Sequence, residues 1–415
     1  MLRSMYSGIG GMKNFQTKLD VIGNNIANVN TYGFKKGRVT FKDIASQTIS
    51  GASSAQANRG GTNAKQIGLG SALASVDTIM TNSSMQTTGR ALDLAVDGDG
   101  FFVVKNGSQQ YYTRAGNFDI DSVGNLVNSD GFKVQGYAMD PVTGLPNTSK
   151  LVNLSIDKNA TILPQATSYL NLAGNLDSNG KPAVAGPPAI PATTASLDMN
   201  IRDSLGNEIP LVATFTNTGT NSWSVTIKDT KTPATTLATT NLAYGTNGQL
   251  SGTPVITATP YTPPGAQPIT LSKIDFSGIT QTAAASSVSV KEKDGSAGGS
   301  LTSFTIGSSG EISGVFSNGQ VKNLGQVALA TFSNPGGLIK AGGNTFQESN
   351  NSGIPNVSTP GNSRGVVNAG SLEMSNVDLS EEFTDMIVAQ RGFQANSRII
   401  TTSDQILEEL VNLKR

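Results

Sequence analysis

The sequence predicts a mainly β middle with α-helical termini: nested β domains, barrel- or sandwich-like, joined by extended connectors to a coiled-coil pair of N- and C-terminal helices. Three observations predict it. Apolar residues recur every seventh position at both ends, turn-forming Gly, Asn and Asp pairs recur roughly every 8–12 residues in between, and two polar low-complexity strips separate these textures.

At the N-terminus one apolar row is Met5, Met12, Leu19 and Ile26, and a second is Phe15, Ile22 and Val29, extended upstream by Leu2 and Ile9. Gly10-Gly11 and Gly23 interrupt the stripe. At the C-terminus Leu379, Met386, Phe393, Ile400 and Leu407 repeat at seven, flanked by Phe383, Ile387, Ile399, Ile406, Leu410 and Leu413. Asp378 with Glu381 has capping-box spacing and sets the start of that helix. At 1.5 Å per residue the helices are about 40 and 50 Å long. A single amphipathic helix ordinarily packs on a globular core. Here both stripes have coiled-coil spacing, and the ends are oppositely charged: residues 1–45 hold seven Lys/Arg and two Asp/Glu, residues 371–415 four and eight. The helices, 1–30 and 377–415, are expected to pair, within one chain or between neighbours.

The strips 46–66 and 348–370 carry few large apolar side chains and cannot fold alone. They place extended connectors at 31–70 and 348–376. In 71–145, Leu92–Val96 alternates, Asp97-Gly98-Asp99-Gly100 turns, and Phe101-Phe102-Val103-Val104 follows. The same texture returns in 291–347, so the two stretches are expected to close one inner β domain. A composition shift at Pro141–Asn147 opens an inserted outer β domain, 146–290. Its core candidates are Leu197, Met199, Ile201, Leu211, Phe215, Trp223, Val225 and Ile227, each alternating with polar neighbours.

Composition limits the chemistry. The 415 residues include no His and no Cys, which removes imidazole and thiolate catalysis, redox pairs and their metal sites. Charged residues are 14%, against about 25% in typical soluble chains, and the net charge is zero, which argues against nucleic-acid binding. No run approaches the roughly 18–20 apolar residues of a membrane span, and the first residues lack the continuous apolar core of a cleavable signal peptide. Asp97-x-Asp99 and Asp119-x-Asp121 do not continue into a calcium loop ending in Glu. Lys35-Lys36-Gly37-Arg38 reads as a solvated turn or a contact for an acidic partner. Nothing argues for catalysis, a cofactor or a metal; the expectation is a structural protein, not an enzyme.

The run Ile22–Lys35 (IGNNIANVNTYGFK) resembles the N-terminal signature of the bacterial flagellar basal-body rod and hook family, on Asn24, Asn25, Ala27, Asn28, Thr31, Gly33 and Phe34. DLAVDGDGFFVV, YYTRAGNFDIDSVGNLV and GFKVQGY are similar to its hook and distal-rod branch. GSLEMSNVDL, with Ser375, Asn376 and Val377, matches its C-terminal signature. NLAGNLDS and IRDSLGNEIPL look like hook inserts, and distal-rod members lack a domain of that size. The resemblance implies a structural subunit of the flagellar hook, self-assembling into a flexible curved tube that surrounds the export channel and transmits motor torque. The terminal helices would form the inner tube. The implied partners are copies of itself, the rod below, hook–filament junction proteins above, and the hook cap and type III export apparatus during assembly. The implied location is the extracellular hook, reached without a cleaved signal peptide. The alternatives are a distal-rod subunit with an insertion, or a secreted adhesin whose 146–290 region binds a surface ligand.

Overall fold

A computed structural model describes residues 2–413 except 57–58, 141–142, 186–188, 232–234, 253–254, 264 and 362–363. The chain forms two compact units, one of residues 1–157, 304–313 and 323–415, the other of 158–303 and 314–322.

In the first unit, α1 (Leu2–Ala27) and α2 (Leu379–Asn412) are the terminal helices. Both are mainly amphipathic, and Gly10-Gly11 and Gly23 do not interrupt α1. Asp378 caps α2 by accepting from the backbone N–H groups of Ser380 (2.8 Å) and Glu381 (3.3 Å). Only half of the expected capping box forms, because the Glu381 carboxylate goes instead to Lys36, 2.7 Å away. The stretch expected as connector is a paired ribbon. Gly37–Asp43 runs antiparallel to Ser71–Thr78, and Ser46–Ser50 pairs with Lys65–Gly68. A two-stranded ribbon with no buried face is marginal alone. At its base it is held against α1 by Asn14 Nδ2 donating to Ser71 Oγ (2.9 Å) and by Phe15 against Phe41 (ring centroids 6.2 Å apart).

The β body of this unit is built around the hairpin Phe101–Asn106/Gln109–Thr113. Gly107, at φ +59°, opens its two-residue turn. The FFVV run is buried on both faces. Phe101 and Val103 join Tyr112, Phe332, Leu338 and Phe346 in one core, while Phe102 meets Phe118 edge-on on the other side. Lys133–Ala138, Val321–Val327 and Leu329–Thr331 extend the sheet. Val152–Asn153 pairs with Lys133–Ala138, so the chain returns to this unit after the 140–147 turn. The composition shift therefore precedes the unit boundary by about ten residues; Gly144 N–H is bonded to the Asp140 carbonyl and Asn147 N–H to the Ala138 carbonyl.

The second unit is two sheets about one apolar core. One is an antiparallel meander of Thr194–Arg202, Glu208–Gly219, Ser222–Asp229, Thr236–Tyr244 and Leu250–Ser251. The other orders Val255–Ile256, Lys273–Thr282, Tyr169–Asp177 and Ser287–Lys293, with Tyr169–Asp177 and Lys273–Thr282 parallel. Alternation along the strands sends Met199, Ile201, Leu211, Phe215, Trp223, Val225 and Ile227 into the core with Leu170, Leu172, Ile274 and Phe276; Leu197 packs at its margin.

Trp223 is the only Trp in the chain and is fully buried in this core, so its fluorescence reports the second unit. Phe215→Ala should lower that unit's stability by about 3–5 kcal/mol, shifting the urea midpoint read by Trp223 emission. An unchanged midpoint would mean that Phe215 does not carry the core.

Candidate assembly interface

α1 and α2 pack antiparallel. Ser4 Oγ lies 3.4 Å from Ser403 Oγ, and Lys18 Nζ lies 3.3 Å from Asp385 Oδ2. Asn25 Nδ2 donates to both Glu382 carboxylate oxygens, at 3.2 and 3.1 Å. Between these pairs Gly8 lies against Asn396 and Ile400, and the Phe15 ring lies over Gly392, where a Cβ would meet its Cζ at 2.5 Å. Only glycine admits the ring there. The seam on α1 is thus Ser4, Gly8, Gly11, Phe15, Lys18, Ile22 and Asn25; on α2 it is Glu382, Asp385, Ala389, Gly392, Asn396, Ile400 and Ser403. Both advance by three or four residues, as a coiled-coil seam does.

This seam is shifted from the large apolar rows. Phe15, Ile22 and Ile400 lie in it, but Met5, Met12, Leu19 and Ile26 stand one position around α1, half-buried on its flank. Met386 and Leu407 are half-buried beside the seam. Ile9, Leu379, Phe383 and Phe393 are exposed, at 47%, 40%, 50% and 37%. Val29 lies beyond the helix end and is half-buried, and the side chains of Leu2 and Leu410 are outside the described residues. The cause is steric. Close helix approach selects Gly, Ser, Ala and Asn for the contact row, and an apolar pattern does not register such a row.

Below the helices, the N- and C-terminal segments meet the β body at one buried ion cluster. Glu373 receives Lys35 Nζ at 2.6 Å on one oxygen and Arg114 Nη1 at 3.2 Å on the other. All three side chains are at most 3% exposed. Lys35 also donates to the Thr81 carbonyl (2.7 Å), Ser83 donates to Glu373 through its backbone N–H and hydroxyl, and Arg114 donates to the Val96 and Gly98 carbonyls. Burial pushes the Lys35 ammonium and the Arg114 guanidinium below their ordinary pKa values, and the Glu373 charge opposes that loss. Lys35 is therefore not in a solvated turn. Lys36 pairs with Glu381 and Arg38 lies 3.5 Å from Asp77, so the acidic contacts of this basic run are supplied by the chain itself.

The signature residues surround this cluster. Gly33, at φ +69°, donates its N–H to the Glu373 carbonyl, and a Cβ on it would lie 2.5 Å from the Ala115 nitrogen. Asn25 brackets Gly37, accepting from its N–H and donating to its carbonyl, both at 2.9 Å. Asn376 accepts from Lys36 N–H (2.7 Å) and donates to the Ile79 carbonyl (2.8 Å). Asn28 bonds back to Asn24, and Thr31 donates to Asn28 Oδ1, closing the turn after α1; Ala27 is its last residue and exposed. Phe34 is buried under Lys340, whose Nζ lies 4.9 Å from the ring centroid. Ser375 accepts from Val377 N–H at 3.3 Å. Arg114, Glu373, Ser83 and Lys340 were not singled out from sequence; Lys35 and Glu373 are 338 residues apart, and nothing local marks them as partners.

The acidic turns are structural. Asp121 accepts from the N–H groups of Val123 and Asn125 and from the Asn125 side chain, and Asp203 does the same with Leu205 and Asn207. These bonds hold both carboxyls below the usual range, against the opposing effect of burial, which is the largest single influence at Asp203. Among the described residues no three Asp or Glu side chains cluster to hold a metal.

Glu373→Gln should leave two buried cations without a counter-charge, at a cost of about 3–5 kcal/mol to docking of the terminal segments. Hydrogen exchange should accelerate at 31–37 and 371–378 while 101–113 stays protected; unchanged protection at the termini would refute the role of the cluster. Glu382 supplies a pH test. Its burial raises its carboxyl above the usual value near 4.5, while Asn25 opposes the rise. The folded pair thus holds that proton more tightly than the unfolded chain. This contribution is full below pH 4.5 and is lost as pH rises through the raised value. Protection of the first turns of α2, taken relative to intrinsic exchange at each pH, should therefore rise on mild acidification in the wild type, and Glu382→Gln should abolish that rise.

Four family models match in chain order: "Flagella basal body rod protein" over 5–35, "Flagellar hook protein FlgE/F/G D1 domain" over 95–167, "Flagellar basal body protein FlaE D2 domain" over 175–296, and "Flagellar basal body rod FlgEFG protein C-terminal" over 368–413. The chain is 40% identical to the flagellar hook protein FlgE of Treponema pallidum and 42% identical to that of Borreliella burgdorferi, with 100% of each chain covered. It is 39% identical to the flagellar basal-body rod protein FlgG of Bacillus subtilis, again over 100% of both. The crystal structure of Helicobacter pylori flagellar hook protein FlgE2 shares the fold, with a TM-score of 0.52 at 15% identity over 70% of this chain and 100% of that one. The chain belongs to the flagellar hook protein FlgE family, the structural subunits of the bacterial flagellar hook.

Proposed function

We propose that copies of this chain polymerise into a curved, flexible tube that transmits torque from the flagellar motor and surrounds the export channel. The helices of 1–30 and 377–415 form the inner wall. The stretches 31–70, largely a paired ribbon, and 348–376 lead to an inner β body in the first unit, and the second unit, 158–303 with 314–322, forms the outer layer. The chain reaches the extracellular hook by type III export. It is added under the hook cap, onto the rod below and beneath the junction proteins above.

The observation that carries this reading is the helix pair. It satisfies its small and polar seam internally and leaves Phe383, Ile387, Ile399 and Ile406 at least 42% exposed. Apolar surface of this extent needs a partner, and a family of structural subunits supplies one as another copy. The chain as a whole is sparsely charged, at 14% Asp, Glu, Lys and Arg. Contacts between the surfaces of such chains are worth about 0.5–1.5 kcal/mol per hydrogen bond, weak enough to break and re-form as a protofilament lengthens and shortens.

Electron microscopy of the polymer grown from purified protein should show a curved tube. The 39% identity to a rod protein favours a second reading, a rod subunit carrying an insertion, and a straight polymer would support that instead.

A further inference from the structure

An asparagine followed by glycine loses its side-chain amide more readily than other asparagines, because glycine has no side chain to hinder attack by its own backbone nitrogen. The sequence contains four such pairs: Asn106-Gly107, Asn179-Gly180, Asn247-Gly248 and Asn318-Gly319. All four lie in turns that follow strands, yet the fold treats them differently. Attack needs a glycine N–H that is not engaged and an asparagine side chain that can swing over it. A hydrogen bond on either must be broken first.

Three of the pairs are tied. Gly248 N–H donates to the Gly245 carbonyl and Gly319 N–H to the Phe316 carbonyl, both at 2.9 Å, and Gly180 N–H reaches the Asp177 carbonyl at 3.2 Å. Two of the side chains are held as well. Asn318 donates to the Ala297 carbonyl (2.7 Å) and accepts from Gln320 N–H (3.0 Å), and Asn247 accepts from Gln249 N–H (3.1 Å). Asn179 is fixed through its backbone, whose N–H donates to Asp177 Oδ1 (2.8 Å), and a Cβ on Gly180 would lie 3.3 Å from the Trp223 ring.

The pair at 106–107 differs. Among the described residues no hydrogen bond engages the Gly107 N–H or the Asn106 side chain, and 106–109 are exposed. Asn106 faces Gln109 as the last rung of its hairpin, and a last rung opens at little cost, giving the backbone the rotation that ring closure needs. Gly107 sits at φ +59°, so the turn itself favours the residue that makes the site labile.

We propose that Asn106 is the chain's site of spontaneous deamidation. The Gly107 nitrogen bonds to Asn106 Cγ, and the side-chain nitrogen leaves as ammonia, carrying the proton that Gly107 gives up. Water then opens the resulting cyclic imide at one carbonyl or the other, leaving Asp or isoaspartate at 106. Each event adds one negative charge to a chain whose net charge is zero. Isoaspartate also lengthens the backbone in the hairpin that carries Phe101, Val103 and Tyr112 into the core. The converted fraction rises with the age of the protein, in a polymer or outside one.

The folded chain is held at mildly alkaline pH, sampled over days, digested and mapped by mass spectrometry. The map reads the amide-to-acid mass gain at each of the four peptides and separates Asp from isoaspartate by retention. Conversion at Asn106 should be roughly tenfold faster than at Asn247 and Asn318, the ratio that follows from hydrogen bonds broken at those sites, and faster than at Asn179. In urea the four should convert at similar rates, since the bonds that distinguish them are gone. Another of the four converting first in the folded chain, or Asn106 leading by the same factor in urea, would overturn the proposal. Asn106→Gln, which must close a larger ring, should remove the leading product; the same mass gain persisting in that peptide would also overturn it.

Discussion

The first unit depends on one shared carboxylate. Glu373, Lys35 and Arg114 come from the returning C-terminal segment, the N-terminal segment and the β body, and all three are buried. The cluster has two cations for one anion, so electrostatics alone do not make it stabilising; well-packed apolar residues of similar volume often serve stability better. Its effect lies in what it penalises. Without the C-terminal segment, Lys35 and Arg114 would be buried with no counter-charge; without the N-terminal segment, Glu373 would keep Arg114 and lose one of its two cations. Docking of the N-terminal segment through Lys35 thus depends on the C-terminal segment being in register. Gly33 and Asn376 add bonds that require the same register, since Gly33 reaches the Glu373 carbonyl and Asn376 reaches both Lys36 and Ile79.

What the sequence discloses depends on whether a residue's partner is near it in the chain. Strand alternation places Met199 through Ile227 in the core of the second unit because each strand's burial repeats every second residue, whatever packs against it. The N-cap at Asp378 is equally local. The capping box is half legible, since Glu381 has a stronger competitor in Lys36, which arrives from 345 residues away. The ion cluster is invisible for the same reason. Asp119-x-Asp121 shows the converse: the spacing suggests ligands, but Asp121 spends its acceptors on its own turn, and the same DSxGN pattern at Asp203 folds in the same way.

The helix pair is the instructive intermediate. Seven-residue periodicity correctly marks two long helices that pair, yet of the rows it marks Phe15, Ile22 and Ile400 lie in the contact while Met5, Met12, Leu19 and Ile26 flank it. Gly8, Gly11, Gly392, Ala389 and Ser403 form a seam that hydropathy cannot detect, because their contribution is shape. The large apolar rows at Met5, Met12, Leu19 and Ile26, one position away, and at Phe383 and Ile387 are read as a seam although the chain itself does not bury them fully.

That displacement bears on where the free energy of assembly resides. The seam within one copy is closed by glycine contacts, a Ser–Ser approach and polar pairs such as Lys18–Asp385 and Asn25–Glu382. An ion pair half exposed to water, as Lys18–Asp385 is, is worth about 1 kcal/mol or less. Burying a Phe or Ile side chain is worth about 1.5–3 kcal/mol. Phe383, Ile387, Ile399 and Ile406, 42–59% exposed, have about half of that gain still available in a single copy. Within one copy the helix pair buries Ile22 and Ala389 and leaves much of these larger side chains in water. On the homopolymer reading, the same pair is fixed firmly only when neighbours cover its flanks. Such a chain keeps its helices adaptable before incorporation and rigid afterwards, because the apolar rows are assigned to neighbours and the small rows to itself.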